Sequence, residues 1–125
     1  MGLKLLDLSS REEKVSEQDD NEEKTTWTIG PCSTRQMFAV YSKYAGDGSE
    51  LTLKSQVGMA FDLTRLGLKA VKGPLSAGFS LSESSEFPGD SVAEEYLDRL
   101  PISLVIEIGG WVGEVSQVGT EGKKD

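Results

Sequence analysis

Apolar and polar positions change their spacing several times along this chain, and each change predicts an element. Leu3, Leu5 and Leu6 with Leu8 give an imperfect alternation near the N-terminus. Thr25 to Ile29 is rich in β-formers, with Trp27 and Ile29 on one face and Thr26 and Thr28 on the other. The two predict a hairpin across the polar stretch between them. After Gly30-Pro31-Cys32 the period becomes helical. Ser33-Thr34-Arg35-Gln36 matches a capping box, and Met37, Val40, Tyr41 and Tyr44 follow as one stripe up to Gly46-Asp47-Gly48. A second helix is predicted from about Leu51 to Lys69. Val57, Ala60, Phe61 and Leu68 share one of its faces; Met59, Leu63, Leu66 and Ala70 line another, as in a helix covered from two sides. Residues 72–90, rich in Gly, Pro and Ser, read as a loop that Phe79, Leu81 and Phe87 pin to the core. Ser91-Val92-Ala93-Glu94 matches a second capping box, opening a short helix through Leu100 before Pro101 resets the direction.

The most apolar stretch, residues 100–115, is interrupted by Gly109, Gly110 and Gly113. Three glycines in a helix carry roughly 3 kcal/mol of local penalty, which something must offset. As a strand, Leu104, Ile106 and Ile108 alternate with Ser103, Val105 and Glu107. As a helix, Leu104, Ile108, Trp111 and Val115 form one stripe and Ile102, Val105, Ile106, Gly109 and Gly113 another, with Glu107 and Glu114 left to solvent. The helical account places more residues and is the one predicted. Gly109 and Gly113, at i and i+4, would then let another backbone approach closely.

Taken together, the pattern predicts a mainly helical α+β fold in one domain over residues 1–125. Residues 1–30 hold a short N-terminal β element with a flexible acidic loop at 9–24. A helical core follows at 31–118, a bundle of about four helices packed around Phe61, and then a flexible tail at 119–125.

Composition narrows the chemistry. The chain has 125 residues, enough for one core and not for two. Residues 11–23 carry seven acidic and two basic side chains, hence −5 of the net −8, and Val15 is their only aliphatic. So polar a run cannot offset its own ordering entropy, which is why a flexible loop is predicted. The scattered basic residues exclude nucleic acid as the main partner. Cys32 is the single cysteine, which excludes an internal disulfide and suits a reducing compartment. The first nine residues lack the pattern of a signal peptide, Leu6 stands where a myristoylation signal expects Ser or Thr, and the 102–115 stretch is too short to span a bilayer. The expectation is a cytoplasmic protein without a membrane partner.

There is no histidine, which removes the commonest general base and metal ligand. Ala45-Gly46-Asp47-Gly48 lacks the third glycine of a phosphate loop, and residues 19–23 lack calcium-loop spacing. Cys32, beside a helix start, is the one candidate for a lowered pKa, set against a plain half-buried role. No catalytic residue, cofactor or metal is therefore predicted, and the chain is read as non-enzymatic. Protein–protein interaction remains, with Trp111 beside the glycines as the favoured anchor.

The order of features carries a resemblance. Residues 9–15, Ser-Ser-Arg-Glu-Glu-Lys-Val, precede the acidic stretch; residues 25–37 run from the Trp27 strand through Gly-Pro into a helix. Residues 57–73 form the second helix, and Glu94-Glu95-Tyr96-Leu97-Asp98-Arg99-Leu100-Pro101 leads into the apolar helix and a charged end. Across nearly its whole length the chain resembles the small tail assembly chaperones of long-tailed, siphovirus-like bacteriophages. The 71–79 stretch departs from the Gly-x-x-Gly-Trp-x-Asn type of loop expected there. The resemblance implies a protein of the host cytoplasm that coats apolar helices of a tape-measure protein and helps recruit tail-tube subunits. Self-association into a homo-oligomer is left open beside these partners. A structural virion protein of the tail or connector and a small non-enzymatic adaptor stay open as alternatives. On the chaperone reading, Leu104, Ile108, Gly109, Trp111, Gly113 and Val115 are the expected partner-binding residues.

Overall fold

The structure is a computed structural model that describes residues 5–45 and 53–116. Its elements are β1 (Glu12–Val15), β2 (Thr26–Ile29), α1 (Thr34–Ala45), α2 (Leu53–Gly67), β3 (Leu68–Lys72), β4 (Leu81–Glu83), β5 (Asp90–Val92), α3 (Glu94–Leu97) and α4 (Ile102–Val115). β1, β2 and β3 form an antiparallel sheet in that order, and β4 and β5 a separate antiparallel pair. This corrects the predicted fold class. The domain is an α+β fold with two antiparallel sheets, not a mainly helical bundle behind one short β element.

The corrections have local causes. α2 ends at Gly67, two residues before its predicted end, and the chain passes directly into β3. Leu66, Leu68 and Ala70 alternate as well as they fit a helix, and pairing with β2 decides between the two: Leu68 lies opposite Ile29, Ala70 opposite Thr28 and Val71 opposite Trp27. β1 lies inside the acidic stretch expected to be a flexible loop. Its side chains are mostly exposed, so the ladder to Trp27 and its neighbours holds it, not its own burial. It replaces the expected strand at Leu3–Leu8: Leu5 is 97% exposed, and Leu3 lies outside the described residues. The segment after α1 and the predicted tail at 119–125 also lie outside them.

Residues 72–90, read as a loop throughout, contain β4. A turn over residues 84–89 joins it to β5, with Gly89 at φ +89°, where a side chain would be strained. Ser91 is consequently a ladder residue opposite Ser82, and α3 starts after Ala93 with no side-chain cap. The first capping box forms as read. Gln36 N–H donates to Ser33 Oγ at 3.1 Å, and Ser33 N–H donates to Gln36 Oε1 at 2.9 Å.

The core joins Trp27 and Ile29 of β2, Val40 of α1, Leu66 of α2, Leu68 of β3, Leu97 of α3, and Ile108 and Val112 of α4. Phe61, expected at its centre, is only partly buried against it. Trp27 and its alternate neighbour Ile29 are buried in it at 1% and 0% exposure, on the strand that β1 and β3 flank from both sides.

Candidate partner-binding face

α4 packs across α2, and the glycines permit it. A Cβ on Gly109 would stand 2.6 Å from the Ala60 carbonyl oxygen and 2.7 Å from Ala60 Cα, and one on Gly67 would overlap the Val112 side chain. Thr64 Oγ1, which lies 2.8 Å from the Ala60 carbonyl of its own helix, is brought by the close approach within 3.0 Å of the Val105 carbonyl on α4. Backbone proximity, a shared hydroxyl and burial of Ile108 and Val112 are what offset the glycine penalty on this side.

The residues expected to meet a partner are therefore largely spent inside the molecule. Leu104 and Ile108 are core residues at 6% and 0% exposure, and Gly109 is buried against Ala60. Trp111 and Val115 are partly buried against the same core. Gly113 makes an ordinary contact, its Cβ position 3.6 Å from Leu63 Cδ1. The helix that the glycines admit is α2 of this chain.

The opposite side of α4 is different. Ile102 is 65% exposed and Ile106 46%, and a Cβ on Gly110 would meet nothing within 4 Å. Spaced at i, i+4 and i+8, these three form a smooth apolar strip along the helix. Sequence reading assigned Ile102 and Ile106 to the same stripe as Val105 and Gly109. The usable signal was Glu114, which marks the solvent sector and places Gly110 rather than Gly109 within it.

Beside the strip, Glu107 ties the acidic segment down. Its carboxylate accepts from Ser16 Oγ (2.5 Å), the Glu17 N–H (3.0 Å) and Gln18 Nε2 (2.9 Å), while Ser103 Oγ donates to Gln18 Oε1 at 2.6 Å. Burial alone would raise the Glu107 pKa; the three donors outweigh it and hold the carboxyl below its ordinary value. Next to this strap, at the start of α4, a cleft of about 230 Å³ opens between Asp19, Asp20, Asn21, Leu75, Pro101 and Ser103, with Trp27 at its inner end. Among the described residues, the buried Trp27 indole N–H has no acceptor.

A second polar cluster lies elsewhere. Asp62, 1% exposed, accepts from Tyr44 Oη at 2.6 Å and faces Lys43 Nζ at 3.2 Å and Arg65 at 3.5 Å. Glu86 bridges the same two cations at 2.9 and 3.1 Å, and both lie near the Phe87 ring, at 5.4 and 5.5 Å from its centroid. Burial would lower the Lys43 pKa, but hydrogen bonds to Glu86 and Asp62 push it above the ordinary lysine value. Each charge here answers another, tying α1 and α2 to the 84–89 turn. Cys32 is fully buried, and desolvation pushes its thiol up to about 11, the reverse of an activated nucleophile. Among the described residues, no group of three or more Cys, Asp or Glu is placed to hold a metal ion, and no helix is long and apolar enough to cross a membrane. Comparisons with protein-family models, with curated proteins and with solved structures return no match for this chain.

Proposed function

We propose that this chain is a non-enzymatic assembly factor of the bacteriophage tail assembly chaperone type, acting in the host cytoplasm. It holds an apolar helix of a tape-measure protein along the outer face of α4. The observation that carries this reading is the strip of Ile102, Ile106 and Gly110, which the domain leaves uncovered while its more apolar neighbours are consumed by the core. Gly110 is the telling member: its helix penalty has no counterpart within the described residues, and a foreign helix could approach there as α2 approaches Gly109. The order of motifs resembling that family supplies the partner's identity.

The test is co-expression of the chain with a tagged helical fragment of the tape-measure protein from the same phage. Ile106→Glu should leave melting close to wild type, because the side chain is half exposed, and should weaken capture by about 2 kcal/mol, near thirtyfold. Full capture by that variant would sink the proposal.

A further inference from the structure

Two surfaces away from the α4 strip are ordered, apolar and uncovered, and they carry opposite charge. The first is the outer face of α1. Phe38 is 72% exposed and Tyr41 42%; three residues apart, they are neighbours on that face, while Gln36 and Val40 turn inward. Arg35, three residues before Phe38, is exposed beside it and makes no hydrogen bond or ion pair among the described residues. α1 contains no acidic residue, and its other cation, Lys43, is already answered by Glu86 and Asp62.

The second surface is the arm that precedes β1, where Leu5 is 97% exposed and Leu8 50%. Leu8 is held outward by a fastened turn. Ser10 N–H donates to the Asp7 carbonyl at 3.0 Å, Ser9 N–H and Oγ donate to the Asp7 carboxylate at 3.1 and 2.6 Å, and Arg11 donates to the Leu8 carbonyl at 3.1 Å. A side chain already fixed in place loses less ordering entropy when something covers it. The Ser9 donors also hold the Asp7 carboxyl below its ordinary value, so it is charged at neutral pH. The arm runs on into residues 11–23, which carry −5.

Neither surface suits its own kind. Two α1 faces would bring Arg35 towards Arg35, and two arms would bring Asp7 and the acidic stretch towards their like. Within one chain the arm leaves α1 uncovered, since Leu5 and Phe38 both stay open. Pairing the arm of one copy with α1 of another sets opposite charges beside apolar contact. We infer that this chain self-associates head to tail: Leu5 and Leu8 of one copy seat on Phe38 and Tyr41 of the next, with Asp7 beside Arg35. The contact joins two different patches, so a dimer still has one free arm and one free α1 face and adds further copies. Few side chains take part, which places it among weak, transient interfaces. It is independent of what the strip on α4 binds, because neither surface includes a residue of α4.

The experiment is sedimentation of the whole chain in about 0.15 M salt, where repulsion between copies of net charge −8 is screened beyond ~8 Å. Mean mass should rise with concentration up to about 300 μM, the range in which so weak a contact populates. Phe38→Glu and Leu8→Glu should each stay monomeric and melt as wild type, because both side chains are exposed. Each variant keeps the surface that the other has lost, so an equal mixture should form a 1:1 dimer and stop at two copies. Arg35→Glu should weaken association by roughly threefold to tenfold. Where a variant melts early, Tyr41→Glu or Leu5→Glu takes its place. A wild-type chain that stays monomeric throughout overturns the inference, as does association that survives Phe38→Glu or Leu8→Glu. If both variants are monomeric and their mixture is too, the contact is symmetric and head-to-tail pairing falls. Association unchanged by Arg35→Glu removes the charge pairing, and with it the assignment of the arm to α1.

Discussion

Gly109 and Gly110 are neighbours in one helix and sit in opposite surroundings. The first faces the Ala60 backbone at a distance no side chain could share; the second faces open space. Both carry the same intrinsic helix penalty, yet among the described residues only that of Gly109 is offset, by the packing of α4 on α2. The difference teaches that small residues in an apolar helix do not by themselves mark an interface with another molecule. What marks it is a small residue whose missing Cβ leaves a space the chain does not fill.

The sharpest way to break this comparison is to put the same bulk at both positions. Gly109→Val forces α4 away from a backbone that cannot rotate aside, so a loss of about 3 kcal/mol is expected, lowering the melting temperature by roughly 10 °C or more. Gly110→Val meets nothing and should melt within a few degrees of wild type. Similar melting of the two variants would mean that α4 does not pack on α2 through Gly109.

A smaller effect separates the strip from its polar border. Glu107 holds residues 16–18 through three donors, and its carboxyl lies below the ordinary glutamate value of 4.5 in the folded protein. Because the folded pKa is the lower one, the strap contributes stability above the unfolded value and loses it as pH falls through the folded value. Glu107→Gln should therefore be less stable than wild type by about 1 kcal/mol at neutral pH, with the gap closing below about pH 4.5. A gap that is constant across that range would mean that the carboxylate charge is not what holds the loop.

The same contrast explains what the residues could disclose in advance. The capping box at Ser33 and Gln36 and the helix over 102–115 were legible because each rests on local spacing. Close approach at Gly109 was legible too, but spacing cannot tell a foreign backbone from Ala60 of the same chain. β3 was hidden because Leu66, Leu68 and Ala70 satisfy both periods, and only Thr28 and Ile29, far away in sequence, decide. β1 was hidden for the opposite reason: Glu12–Val15 offers the half-exposed Val15 as its one apolar side chain, and its ladder is provided by β2. Ser91 carries a good cap signature, but pairing with Ser82 claims its backbone first. As for the site, ranking sectors of α4 by hydrophobicity selects the sector the core has already used. Leu104 and Ile108 win that ranking because they are buried, and the weaker stripe of Ile102 and Ile106 is what remains outside.

The smallest expected effect is also the most discriminating, because it asks Gly110 to do two things of opposite sign. Gly110→Ala removes backbone entropy from the unfolded chain and adds a methyl group where nothing stands in its way, so the isolated domain should gain about 0.5–1 kcal/mol. If a partner helix approaches the strip at Gly110 as closely as α2 approaches Gly109, that same methyl group holds the two backbones apart, and capture weakens while the melting temperature rises. A larger residue, Gly110→Leu, should deepen the loss of capture without reversing the gain in stability. Melting curves and co-purification on the same protein samples read the two quantities separately. A variant that is both more stable and fully able to capture the partner would show that Gly110 is merely an unoptimised helix position, and the open face of α4 would have to bind through Ile102 and Ile106 without close backbone contact.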